Sequence, residues 1–271
     1  MGGGPQPFGI QTMTTKFGNV SVNTDGAVAL VEFDNPPFNF VTIPMMKDLA
    51  DALDVVDAET SLRATVLTSA GKAFCAGAEL GSPTGVGGAG IDTVSPLYVQ
   101  AVRLFSIKKP IIAAIQGAAV GAGLGLSLVA DFRIAAPEAR FVSNFVKLGF
   151  HPGFGITYTL PRVIGEQRAA LMCLTGRRIK AEEALSWGLV DEVVALENLH
   201  AAALTLAREI ADNAPLSVQA TRATMRAGLA DAVKARTDIE LREQTWLRAT
   251  SDFAEGVKSV NERRAGVFVG A

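Results

Sequence analysis

The run Ile111-Ile112-Ala113-Ala114-Ile115-Gln116-Gly117-Ala118-Ala119-Val120-Gly121-Ala122-Gly123-Leu124-Gly125-Leu126 decides the fold. Its first five residues are strand formers, Gln116-Gly117 breaks the run, and the glycine-rich remainder opens a helix. The unpaired N–H groups of a helix start favour negative charge at this junction. A dinucleotide fingerprint is the competing reading, but it needs G-x-G-x-x-G and an acidic residue about twenty positions on. Here the glycines alternate as G-x-G-x-G and Asp131 comes too early. The uncharged stretch from Ile111 to Ala130 has the length of a membrane span, and Gly117, Gly121 and Gly125 recur at helix-dimer spacing. Its division into strand, break and helix argues against a span.

Outward from this run the pattern alternates. Ala27–Phe33 is rich in strand formers and stops at Asn35-Pro36-Pro37, and Met46, Leu49, Leu53 and Val56 then recur at helical spacing. Ala64–Thr68 returns to strand character, which makes a strand–helix–strand unit with parallel pairing. A helix around Leu97–Phe105, the strand Ile111–Ile115 and a strand at Phe132–Ala135 repeat the arrangement. Gly81–Pro96 is too rich in glycine to order itself and reads as a mobile loop. From Ala181 onward the chain reads as helix, with long runs at Leu199–Ile210 and Asp231–Leu247. The expected division is a disordered tail at 1–15, an α/β core at 16–195 and a helical subdomain at 196–271.

A hydrophobic share of 49% over 271 residues supports a sizeable core. With 25 basic and 27 acidic residues the formal charge is only -2, so no positive field gathers nucleic acid or an anionic membrane, and a small-molecule partner is favoured. Cys75 and Cys173 lie far apart without metal-ligand spacing, so neither a metal site nor a disulfide framework is expected. The first residues lack the basic and apolar regions of a secretory signal. A cytoplasmic location fits.

A second stretch of small residues, Gly71-Lys72-Ala73-Phe74-Cys75-Ala76-Gly77-Ala78-Glu79-Leu80, follows the strand at Ala64–Thr68 and lets a ligand approach the backbone closely. The two motifs, with Ala130-Asp131-Phe132-Arg133-Ile134-Ala135, Pro152-Gly153-Phe154-Gly155, Leu174-Thr175-Gly176-Arg177-Arg178-Ile179 and Ala184-Leu185-Ser186-Trp187-Gly188-Leu189-Val190, resemble the crotonase (enoyl-CoA hydratase/isomerase) superfamily over nearly the whole chain. The resemblance implies an α/β fold, a crotonase-like spiral of ββα units with a C-terminal helical trimerisation subdomain, assembled as a homotrimer or a dimer of trimers. The implied partner is an acyl-CoA thioester, with coenzyme A as part of the substrate and no further cofactor.

By position, the resemblance gives the backbone N–H groups of Ala78 and Ala122 as oxyanion donors, each worth about 3–4 kcal/mol in favourable cases. Ala76 and Gly77 match the part that meets the adenine and pantetheine. The two glutamates of hydratases fall on Gly125 and Phe145, and two general acid–base groups at about 10²–10⁴-fold each are thereby missing. Phe145 makes the site more apolar, which suits a hydrocarbon chain. Gly153 is retained. His151 and Glu79 are the remaining candidate acid–base groups; Glu79 also suits a helix cap and His151 a loop. Asp131 and Arg133 read as a scaffold pair, and His200 as a surface residue. The resemblance also has the C-terminal helix of a neighbouring subunit add an aromatic and a lysine to the coenzyme A site; here Val260 stands at the aromatic position, and Arg263 keeps a cation for a coenzyme A phosphate.

Three functions follow. One is an enoyl-CoA hydratase/isomerase of fatty acid metabolism, a lyase or isomerase with noncanonical acid–base residues. The alternative is a non-catalytic fatty acyl-CoA-binding protein, and a dinucleotide-dependent dehydrogenase is a distant third.

Overall fold

The structure, a computed structural model, describes residues 14–78 and 94–271. Strands β1 (Thr15–Phe17) and β2 (Val20–Asp25) precede β3 (Val28–Phe33), so the strand read at 27–33 is the third among the described residues. Only Val20 and Val22 of β2 are fully buried, too short an apolar alternation for the sequence to declare. Helix α1 (Ile43–Ala58) and β4 (Ala64–Ser69) complete the expected unit, with β3 and β4 parallel from Val28 opposite Ala64 to Phe33 opposite Ser69. Helix α2 (Val94–Phe105) starts earlier than expected and takes in Pro96; the rest of the loop read at 81–96 lies outside the described residues, as does Glu79.

The run that decides the fold divides as its glycines require, into β5 (Ile111–Ile115), β6 (Ala118–Val120) and α3 (Ala122–Ser127). It is followed by β7 (Phe132–Ala135), β8 (Arg140–Val142), α4 (Ile156–Ile164), α5 (Glu166–Thr175), β9 (Arg178–Lys180), α6 (Ala181–Trp187) and β10 (Glu192–Val193). Helices α7 (Leu199–Ala211), α8 (Pro215–Met225), α9 (Leu229–Leu247) and α10 (Ser251–Asn261) close the chain. One sheet has the order β1-β2-β3-β4-β5-β7-β10 and a smaller one β6-β8-β9. No helix among the described residues is long and apolar enough to cross a membrane.

The larger sheet is covered on both faces. Ile111, Ala113 and Ile115 join one hydrophobic cluster with Met46, Leu49 and Leu53 of α1, while Ile112 and Ala114 join a second with Leu199, Ala203, Ala207 and Ala211 of α7. The four-residue spacing of the α7 stripe, alanine at three of four positions, lets that helix lie close on the sheet. Helix α7 therefore packs directly on the sheet. Asp131 and Arg133 are both scaffold residues, but not as a pair. The Asp131 carboxylate accepts from Arg222 Nε at 2.9 Å, Arg226 Nη1 at 3.0 Å and the Ile111 N–H at 2.8 Å, tying α8 to the sheet. Arg133 donates to the carbonyls of Leu189 at 2.6 Å and Ala130 at 2.8 Å.

The smaller sheet carries the first motif against the second. Cys75 N–H donates to Ala118 O at 2.9 Å and Val120 N–H to Cys75 O at 3.0 Å, so residues 72–77 run along 117–123 backbone to backbone. A Cβ on Gly117 would stand 2.0 Å from Lys72 O, and one on Gly123 2.1 Å from Cys75 O. Replacing Gly123 by alanine is expected to cost about 3 kcal/mol or more, because backbone must move. Gly71→Ala, at φ +76 in open space, is expected to cost only about 1–2 kcal/mol of local strain. Urea unfolding midpoints of the two variants check this, and equal losses would remove the close approach as the cause.

Candidate active site

Buried amides hold the stretch that begins at Gly71 in place. Asn39, at φ +56 and 2% exposed, donates from Nδ2 to Ala70 O at 2.6 Å and Ala73 O at 2.9 Å. Gln116 Nε2 donates to Ser69 O at 2.9 Å and has further acceptors in Gly71 O and Ala73 O, each at 3.2 Å. The strand end is thus fixed before Gly77, whose φ of +96 turns the chain; a Cβ there would lie 2.9 Å from Val120 O and 4.0 Å from Ala122 N. Ala78 stands opposite Val41 in an isolated parallel bridge that uses the Val41 N–H and the Gly77 carbonyl, which leaves the Ala78 N–H out of that pairing. Ala122 is the first residue of α3, where N–H groups lack an intrahelical acceptor.

Both alanines line a cavity of about 400 Å³ together with Ala76, Gly77, Phe145 and Gly153. The rest of the wall is mostly apolar, with Phe40, Leu97, Leu148, Phe150 and Phe154 joined by the polar side chains of Tyr98, Asn144, Gln244 and Asn261. Among the described residues the wall bears no carboxylate, imidazole or amine. Burial, reinforced by the Glu240 carboxylate, pushes the Tyr98 hydroxyl above its ordinary range, so it stays protonated. Burial likewise pushes the Cys75 thiol up to about 12, which leaves no thiolate there.

The sequence profile of the enoyl-CoA hydratase/isomerase family matches residues 23–271. The chain belongs to that family. It is 35% identical to the 1,2-epoxyphenylacetyl-CoA isomerase of Escherichia coli over 83% of this chain and 88% of that protein. It is 38% identical to the mevalonyl-coenzyme A hydratase of Beauveria bassiana over 89% of this chain and 91% of that protein. A crystal structure of an enoyl-CoA hydratase/isomerase from Pseudoalteromonas atlantica superposes with a TM-score of 0.82 at 29% identity, covering 93% of this chain and all of that one. The fold is that of the crotonases, with their mixed α/β core and helical C-terminal region.

Within this crotonase fold the remaining sequence-derived candidates separate. Gly125 is not on the cavity wall: the Phe154 ring stands over it, and a Cβ there would lie 2.6 Å from Phe154 Cδ1. Phe154 holds φ +64 and is 1% exposed. The His151 ring lines a neighbouring cavity of about 690 Å³ with Cys173 and Trp246, and its Nδ1 lies 2.7 Å from Pro152 O. Val260 and Asn261 of α10 reach the cavity wall, but Arg263, at φ +54 beyond the helix, does not. His200 is exposed, as expected.

Sequence reading missed the clamp that shapes this wall. The α9 residue Gln244 accepts from the Tyr98 hydroxyl at 2.9 Å and donates to His151 O at 2.9 Å. One turn earlier, buried Glu240 accepts from Gly155 N at 2.7 Å, Thr157 N at 3.2 Å and Thr157 Oγ1 at 2.6 Å. Glu240 and Gln244 are four apart on one helix face, the only hint the sequence offered. A Cβ at Gly153 would stand 2.0 Å from Tyr98 Oη and 2.7 Å from Gln244 Nε2, so a side chain there would displace the clamp.

Burial outweighs the three donors and raises the Glu240 carboxyl to about 7. The native state therefore holds this proton more tightly than the unfolded chain. Stability from it is complete below the ordinary glutamate value and is lost as pH rises through about 7. Urea midpoints of the native protein should fall relative to those of Glu240→Gln between pH 4.5 and 7, by a few kcal/mol in stability, and run parallel above. A difference independent of pH across that window would disprove the assignment.

Proposed function

We propose that this chain binds an acyl-CoA thioester with its carbonyl oxygen on the N–H groups of Ala78 and Ala122 and its acyl chain in the aromatic cavity. It acts on that thioester as a hydratase/isomerase-type enzyme by stabilising charge on the oxygen. The observation that carries the reading is the shared cavity wall: two backbone positions of the two docked motifs open onto one apolar chamber. The curated relatives whose names carry coenzyme A thioesters support the substrate class. Coenzyme A enters as part of the substrate, with no separate cofactor. The homotrimer or dimer of trimers and the cytoplasmic location expected from the family belong to the same proposal.

The wall also favours a second reading, acyl-CoA binding without turnover. With Phe145 on the wall and Gly125 beneath Phe154, neither glutamate position of the hydratases supplies a carboxylate. Ordinary hydration then lacks about 10²–10⁴-fold for each missing group.

Ala122→Pro tests the common core of both readings, since proline is tolerated at a first helical position and removes one N–H. The carbonyl stretch of bound butyryl-CoA is expected at lower wavenumber in the native protein and partly restored in the variant. An identical stretch in both would sink the oxyanion assignment. Turnover of crotonyl-CoA, expected to fall about 10²–10³-fold in Ala122→Pro, then separates an enzyme from a carrier, which has none to lose.

A further inference from the structure

We propose that Asn144 reads a polar substituent on the α or β carbon of the bound acyl group, so that the preferred ligand is a thioester oxygenated next to its carbonyl. This rests on the reading that the cavity takes an acyl-CoA. Asn144 immediately precedes the 3-10 turn Phe145–Leu148, where asparagine ordinarily folds its side chain back onto the N–H groups of the turn. No such bond forms. The amide instead lines the cavity, with Oδ1 3.3 Å from where a Cβ on Gly121 would be. Gly121 directly precedes Ala122, and consecutive Cα atoms lie about 3.8 Å apart, so the amide serves atoms beside the thioester carbonyl rather than the chain end.

The other polar side chains on this wall are committed or open to water. Tyr98 and Gln244 bond each other, Gln244 also donates to His151 O, and Asn261 is exposed. Asn144 is half-buried, and its side-chain amide has no hydrogen-bond partner among the described residues. When an acyl chain displaces water from the cavity, its amide needs a partner in the ligand. An amide offers a donor and an acceptor without charge, so it suits a hydroxyl or a carbonyl and selects the ligand without moving a proton.

Calorimetric titration with butyryl-CoA, 3-hydroxybutyryl-CoA and acetoacetyl-CoA tests this. The native protein is expected to bind the two oxygenated thioesters about tenfold more tightly than butyryl-CoA. Asn144→Ala should bring all three within about twofold, with butyryl-CoA bound at least as tightly as by the native protein because no amide is left unpaired, which also shows that the pocket is intact. Asn144→Asp, an acceptor only, should keep the hydroxyl preference and lose the preference for acetoacetyl-CoA. Equal affinities in the native protein, or a preference that survives Asn144→Ala, overturn the assignment. If none of the three binds more tightly than free coenzyme A, the acyl-CoA reading itself fails along with it.

Discussion

The pairing of residues 72–77 with 117–123 is the contact on which the site depends. A donor that is a peptide N–H cannot be aimed by choosing a rotamer; its direction is set by the path of the chain. Two such donors converge only if two separate stretches of backbone lie side by side, and an ordinary side chain at Gly117 or Gly123 would stand about 2 Å from the opposite carbonyl. The glycines make the approach possible and the buried amides make it definite. Asn39 and Gln116 both donate to Ala73 O, so the chain between β4 and Gly77 has little freedom to shift.

The same logic applies to positions 125 and 145, where the family resemblance places the hydratase glutamates. Phe154 takes up the room that a side chain at 125 would need, and it does so at φ +64, a conformation that non-glycine residues adopt only when their neighbours enforce it. The enforcement is visible in the clamp from α9, where Gln244 holds His151 O while Glu240 holds Gly155 and Thr157. A glutamate placed at 125 alone would therefore clash with a ring that three hydrogen-bonded neighbours keep in position. At the second position Phe145 lies against Gly121 and adds to the apolar wall.

The α/β core was legible in the sequence because its strands and helices differ in period and its motifs fall at their junctions. Gly117 and Gly123 stood out as composition. The small sheet they build is less visible, since three-residue strands such as β6 and β8 carry no periodicity. The α7 helix shows another limit: sequence reveals an amphipathic helix but not which surface its apolar stripe covers. For the site, Ala76, Gly77, Ala78, Ala122, Phe145 and Gly153 do share one cavity, whereas His151, drawn in by nearness to Pro152-Gly153, lines the neighbouring one. Tyr98, Gln244 and Glu240 stayed hidden because their partners are far along the chain and are mostly main-chain atoms, which leave no mark on side-chain pattern.

The polar groups around the cavity show what kind of chemistry the pocket is suited to. Tyr98 and Gln244 bond each other and the 151–155 loop, Glu240 sits behind that loop with its oxygens turned to backbone N–H groups, and Cys75 is a buried thiol. Each is committed to holding shape. A proton shuttle needs a group that faces the reacting atom and changes charge near neutral pH, and among the described residues the wall has none. Charge stabilisation by fixed dipoles needs only direction and dryness, and an apolar chamber strengthens it because few waters compete. A wall of aromatic and aliphatic side chains without a carboxylate among the described residues thus suits the stabilisation of charge better than the movement of a proton.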